Sequence, residues 1–177
     1  MTRPTRALAV LACALLPLTG CTSPGPERPA RTPDDTVRAA TQALTDRCLT
    51  RQGLTPPRPG QRRGSSAEQQ RVAAALFGRP PAELSLTLAN GIPVRAHTDG
   101  CLAAAQRTLY GDQKRWFRVS TVVNNLGPEA AHRGLGLASV RARHHAELTE
   151  YRQLRQHALD ASRRVLRTST DRPTKEN

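Results

Sequence analysis

Residues 138–167 read ASVRARHHAELTEYRQLRQHALDASRRVLR, and this stretch decides the fold class. Leu148, Tyr151, Leu154, Ala158, Ala161 and Val165 recur at helical spacing and share one face. Arg152, Arg163, Arg164 and Arg167 fall on the opposite face. The spacing predicts one long, strongly basic C-terminal helix over 138–167.

Upstream, Gly127-Pro128 punctuates the chain, and before it Asp112 opens a helix whose inward stripe is Trp116, Val119, Val123 and Leu126. Thr98-Asp99-Gly100 caps a helix from Cys101 to about Tyr110, with Gly111 as a break. The β signal lies between 84 and 97. Leu84, Leu86 and Leu88 alternate with Ser85 and Thr87, Asn90-Gly91 follows, and Ile92, Val94 and Ala96 alternate with Pro93, Arg95 and His97. Asn-Gly between alternating runs predicts a tight type I′ hairpin, with both turn residues at positive φ. Pro93 cannot donate to a ladder, so its strand is expected at an edge.

Nearer the N-terminus, Ser65 with Glu68 reads as a capping box before Val72, Ala73, Leu76 and Phe77 on one face; Gly78 and Pro80-Pro81 stop that helix. Residues 54–64 are rich in Pro, Arg and Gly and read as an exposed loop. Thr32-Pro33-Asp34-Asp35 reads as a helix start, Val37, Ala40, Leu44 and Cys48 as its apolar face, and Gly53 as its stop. The expected fold is thus a small, mainly α domain with one β-hairpin and a long C-terminal helix.

The first 21 residues are of a different kind. Arg3 and Arg6 precede an almost unbroken apolar run, Ala7 to Leu18, too short to span a bilayer, which needs about 20 apolar residues. Leu18-Thr19-Gly20-Cys21 then fits a lipobox, so cleavage is expected between Gly20 and Cys21, with lipid on the Cys21 thiol. The competing readings are an ordinary secretory signal with an incidental cysteine, or an N-terminal membrane anchor. The expected organisation is a lipoprotein signal peptide over 1–20, a flexible Ser/Pro/Gly/Arg tether over 21–33, a helical extracytoplasmic domain over 34–169 and a disordered tail over 170–177. The expected location is the extracytoplasmic face of the bacterial cell membrane, held by a lipid anchor.

Formal net charge is +13 at pH 7, of which Arg3 and Arg6 belong to the signal. Such an excess outside the cell favours anionic lipid headgroups or anionic envelope polymers as partners. Export argues against nucleic acid. With Cys13 lost in the signal and Cys21 acylated, Cys48 and Cys101 remain. In an oxidising compartment they most simply pair; the alternative is two reduced, buried thiols.

Chemistry-bearing patterns are sparse. Arg107, Lys114, Arg115 and Arg118 surround Tyr110, Trp116 and Phe117, and these four bases are the candidate anionic-ligand contacts, although Trp116 also suits the core. His132, His144, His145 and His157 lack the spacing and companions of a metal site, so neither metal nor other cofactor is expected. Asp99 beside Cys101 suggests a thiol nucleophile, but a helix cap and half a disulfide account for the same two residues. No catalytic residue is assigned.

The run Thr98-Asp99-Gly100-Cys101-Leu102, with Ala105-Gln106-Arg107, Leu109-Tyr110-Gly111-Asp112 and Trp116, resembles a group of uncharacterised actinobacterial (Streptomyces-type) small secreted proteins and lipoproteins. The hairpin, Cys48-Leu49, Asn124-Asn125-Leu126 and the Tyr151-Arg152-x-Leu154-Arg155-x-x-Ala158-Leu159 pattern are similar too. The resemblance implies an exported lipoprotein and names no reaction. Its members carry a further cysteine-bearing stretch before the C-terminal helix, whereas 129–138 here is short and lacks cysteine. The expected function is a membrane-anchored, non-catalytic binding or envelope-structural role. The alternatives are an enzyme or enzyme accessory acting on cell-wall or secreted substrates, and a scaffold for a membrane partner.

Overall fold

Helix α1 (Pro33–Arg51) opens where its cap directs. Thr32 Oγ1 accepts a hydrogen bond from the Asp35 N–H at 3.1 Å, Pro33 occupies the first turn, and Asp34 and Asp35 complement the helix dipole. The structure, a computed structural model, describes residues 31–61 and 64–170. The signal segment 1–20, the Gly20–Cys21 cleavage and lipidation site, the tether up to residue 30 and the tail 171–177 lie outside the described residues.

After α1 come α2 (Ser66–Phe77), β1 (Leu84–Thr87), β2 (Pro93–Ala96), α3 (Gly100–Tyr110), α4 (Gln113–Asn124), α5 (Leu126–Arg133), α6 (Leu137–Arg143) and α7 (His145–Thr170). The architecture is mainly helical, with one antiparallel hairpin and a long C-terminal helix. Two apolar clusters hold it. Ala40, Leu109, Ala158 and Ala161 join α1, α3 and α7, flanked by Val37, Leu44 and Tyr110. Alanines at the α1–α7 contact let the two helices approach closely. Leu126, Ala130 and Val140 form the second cluster, with Val122 and Leu148 against it. The Cys48–Cys101 disulfide, S–S 2.03 Å, ties α1 to α3, and the Gln52 side-chain N–H points at both sulfurs from 3.5 and 3.3 Å. Among the described residues no helix is long and apolar enough to cross a membrane.

Several local expectations are overturned. The basic stretch 138–167 is two helices rather than one, separated at His144. Its N–H still closes α6 on the Val140 carbonyl at 3.1 Å, while its own carbonyl accepts the Leu148 N–H at 2.9 Å and starts α7. The break lets α6 fold Val140 onto α5, and the His144 ring is held there by Glu129 and Glu147. Gly127-Pro128 does mark a boundary, since α4 ends at Asn124, whose carbonyl Pro128 has no N–H to bond. The pair itself lies inside the first turn of α5, where the backbone N–H groups have no intrahelical partner to lose, and Leu126 opens α5 rather than closing the stripe of α4.

The hairpin is not type I′. Asn90 has negative φ, and Gly91 alone is left-handed, at φ 82°. Gly91 N–H bonds to the Leu88 carbonyl and Leu88 N–H to the Ile92 carbonyl, both at 2.9 Å, which is a three-residue loop ending in a glycine bulge. Asp99 stands at the N-cap of α3 without bonding its first turn; its carboxylate instead accepts the Arg79 N–H at 3.1 Å. Behind that contact the α2 terminus and the α3 start nearly touch: a Cβ on Gly100 would lie 2.7 Å from the Gly78 nitrogen. Phe77, expected inward, is 56% exposed.

Candidate functional site

The four bases singled out from the sequence separate in space. Arg107 Nη1 donates to the Thr98 carbonyl at 2.5 Å and to Gln113 Oε1 at 3.2 Å. Gln113, buried, also donates to the His97 carbonyl at 2.8 Å. Arg107 therefore fastens the exit of β2 to α3 and α4 and does not line the cleft shared by the other three. Gln113 escaped the sequence reading because a buried glutamine leaves no periodic mark.

Lys114, Arg115 and Arg118 lie on α4, begun by Asp112, whose Oδ1 accepts the Arg115 N–H at 3.0 Å. With Phe117 they face Glu83, Leu84, Ser85 and Leu86 across a cleft of ≈ 610 Å³. Glu150 on α7 pairs with both Arg115 and Arg118, the latter at 3.4 Å, and the Glu150 carboxylate raises the Arg115 pKa above its ordinary value. Glu83 accepts the Thr98 N–H at 2.9 Å, so both acids lining the cleft are committed to backbone donors. Among the described residues Lys114 has no ion-pair partner. The cleft's three bases face two lining acids, Glu83 and Asp112, with Glu150 behind the arginines, so its charges balance and Lys114 is left as the base without an acidic partner beside an apolar wall.

Tyr110 and Trp116, grouped with these bases in the sequence, turn the other way. Tyr110 stacks on Trp116 with centroids 3.8 Å apart, and Trp116 on Tyr151 at 5.4 Å, a three-ring ladder joining α3, α4 and α7. Arg155 covers the far ring at 5.8 Å and pairs with Asp34 of α1. Burial raises the Tyr110 pKa above its ordinary value, the nearby Arg155 guanidinium opposing that shift in part. The ladder is a structural element, its ring faces largely given to one another.

A second, smaller cavity of ≈ 260 Å³ adjoins the first at Leu86. Strand β1 and its turn form one wall, and Val122, Asn125, Pro128, Glu129, Arg133 and His144 the other. Glu129 accepts from Arg133 Nε at 2.9 Å and lies 3.1 Å from His144 Nε2. No sequence pattern joins Glu129 to His144; only the fold of α6 onto α5 does. Cys101 is buried in its disulfide and so is no free nucleophile, while His97 Nδ1 lies 3.8 Å from Asp99.

No protein-family profile, curated protein or solved structure matches this chain.

Proposed function

We propose that the chain is a lipoprotein anchored through an acylated Cys21 on the extracytoplasmic face of the cell membrane, where the cleft between β1 and α4 binds an anionic envelope component without catalysing a reaction. The convergence of Lys114, Arg115, Arg118 and Phe117 on that cleft carries the binding half of the reading. The basic n-region, apolar core and Cys21 carry the anchoring half. Charge outside the cell meets anionic headgroups and polymers first, and contacts of this kind weaken as salt screens them. Two experiments test it. Intact mass of the protein from host membranes, beside a Cys21→Ser control, is expected to show a lipid-bearing chain starting at Cys21; an unmodified species overturns the anchor. The exported Cys21→Ser chain is expected to bind vesicles of anionic lipid, or anionic wall polymer, at low salt and to release near 0.5 M or so of monovalent salt. Retention equal on neutral vesicles, or insensitive to Lys114→Glu/Arg118→Glu, overturns the binding half.

The rival, an enzyme or enzyme accessory, draws on one observation: the smaller cavity joins a histidine to a carboxylate, Glu129 to His144. The only hydroxyl-bearing residue lining that cavity is Thr87. Hydrolysis of a wall or peptide substrate that disappears in Glu129→Gln, with the fold retained, would establish that rival.

A further inference from the structure

The two cavities are halves of one groove, and its geometry is that of a sheet edge waiting for a strand. Both are lined by β1 and its flanks, both include Leu86, and neither includes a residue of β2. They therefore lie along the edge of β1 that β2 does not occupy. The opposite wall follows α4 in the same direction, from Asp112 and Lys114 beside Leu84 to Val122 and Asn125 beside Thr87 and Leu88. Five residue steps of extended chain from Glu83 to Leu88 cover about 17 Å, and thirteen helical steps from Asp112 to Asn125 about 20 Å.

Backbone parity decides which groups face the groove. Leu88 N–H bonds to the Ile92 carbonyl, which makes 88↔92 a hydrogen-bonded pair; the register 86↔94 and 84↔96 continues it. Ser85 and Thr87 then occupy the non-bonded positions, and their N–H and C=O groups point away from β2, into the groove. Both residues are exposed. The outer edge of β2 is guarded differently, because Pro93 pairs with Thr87 and so lacks an N–H at the position where one would project outward. One edge is blunted and the other is not.

We infer that the β1 edge accepts an extended polypeptide segment of a partner protein by strand addition, with apolar residues at alternate positions and acidic residues toward the Leu84 end. The proposal deepens the reading of this cleft as an anionic-ligand site and rests on it. Main-chain bonds to Ser85 and Thr87 hold the segment in register. Alternate apolar side chains pack on Leu86, Phe117 and Val122, and its carboxylates meet Lys114 and Arg118. Backbone and charge together select this occupant. The open N–H and C=O groups of Ser85 and Thr87 suit a main-chain partner, and Lys114, without a carboxylate partner among the described residues, suits an acidic side chain on it.

The test starts with selection of a displayed random dodecapeptide library on the immobilised exported Cys21→Ser chain. The expected consensus has apolar residues at every second position with Asp or Glu toward one end. The synthetic consensus peptide is then expected to slow amide exchange at Ser85 and Thr87 at least tenfold and leave Arg95 unchanged. Lys114→Glu/Arg118→Glu should weaken its binding at least tenfold with an unaltered circular dichroism spectrum, and Thr87→Pro should abolish it. If Thr87→Pro does not fold, the amide-exchange pattern of the wild-type chain decides. No enrichment, a consensus without period two, or protection at Arg95 instead overturns strand addition. Salt-sensitive retention on anionic vesicles or polymer with Ser85 and Thr87 unprotected by any selected peptide also overturns it, while leaving the anionic-cleft reading standing. Loss of both removes both.

Discussion

Replacing the disulfide with Cys48→Ala/Cys101→Ala should cost this chain a large part of its stability. The bond closes a loop with a sequence separation of 53 residues and joins α1 to α3, two of the three helices around the main core. In the chain-entropy treatment a crosslink over such a loop removes about 14 cal/mol/K from the unfolded state, or roughly 4 kcal/mol at 25 °C. With an unfolding entropy of about 2.1 cal/mol/K per residue over roughly 140 folded residues, that is a fall in melting temperature of about 14 °C. Cys101 is fully buried, so the lost sulfur packing acts in the same direction. The assay is urea unfolding followed by circular dichroism, with and without reductant. The double variant should unfold at lower urea, with a larger m because its unfolded chain is free to expand, and reductant should move wild type to the same midpoint while leaving the variant alone. A loss under about 1 kcal/mol with unchanged m would refute the reasoning, since it would mean that the unfolded chain is not constrained by this loop.

Glu150→Gln removes the carboxylate shared by Arg115 and Arg118, and should raise the salt concentration needed to elute the protein from anionic vesicles; unchanged or earlier elution would show that the paired arginines are not the ones that bind. Leu109→Ala empties a fully buried site between α1, α3 and α7 and should cost about 2–5 kcal/mol in urea unfolding, whereas a loss below about 1 would place Leu109 outside the cooperative core. Tyr110 supplies a pH test. Its folded pKa is raised above the ordinary 10.0, so the native state holds that proton more tightly than the unfolded chain does. Its contribution is fully present below about pH 10 and is lost as pH rises through the folded value, so stability should fall in that alkaline window, and Tyr110→Phe should flatten the fall. An identical alkaline profile in Tyr110→Phe would assign the loss to other groups.

What the sequence made legible was written in local chemistry. Thr32, Ser65 and Asp112 each cap the helix that follows through a side-chain oxygen, because capping needs only residues three positions apart. The Cys48–Cys101 bond is the simpler of two readings, beside a pair of reduced thiols, once Cys13 and Cys21 are set aside with the expected signal. The failures share a cause: a local signal with two solutions, chosen by distant packing. Asn90-Gly91 permits a two-residue turn, yet the chain adds Ala89 and uses Gly91 alone at positive φ. The apolar spacing through His144 permits one helix, yet α6 bends back so that Val140 reaches Leu126 and Ala130, about ten to fourteen residues upstream in the fold's other cluster. Pro128 does end α4, at Asn124, yet it is accommodated in the first turn of α5, so only the position of the boundary and the assignment of Leu126 differ from the sequence reading.

The candidate site shows the same limit in electrostatic form. In sequence Arg107, Lys114, Arg115 and Arg118 are four equal charges. In the fold, Arg107 is committed to the Thr98 carbonyl and Gln113, and Arg115 and Arg118 share a single carboxylate that lies 32 or more positions away. Lys114 alone keeps its charge without a carboxylate partner among the described residues. The attraction of the cleft is therefore set less by the count of bases on α4 than by how far Glu150 offsets two of them. A ligand carboxylate or phosphate that enters must compete with Glu150 for the same guanidinium groups. If the cleft binds anions as proposed, such a competition would favour strong, well-placed anions over diffuse ones, which a bare run of basic residues would not do.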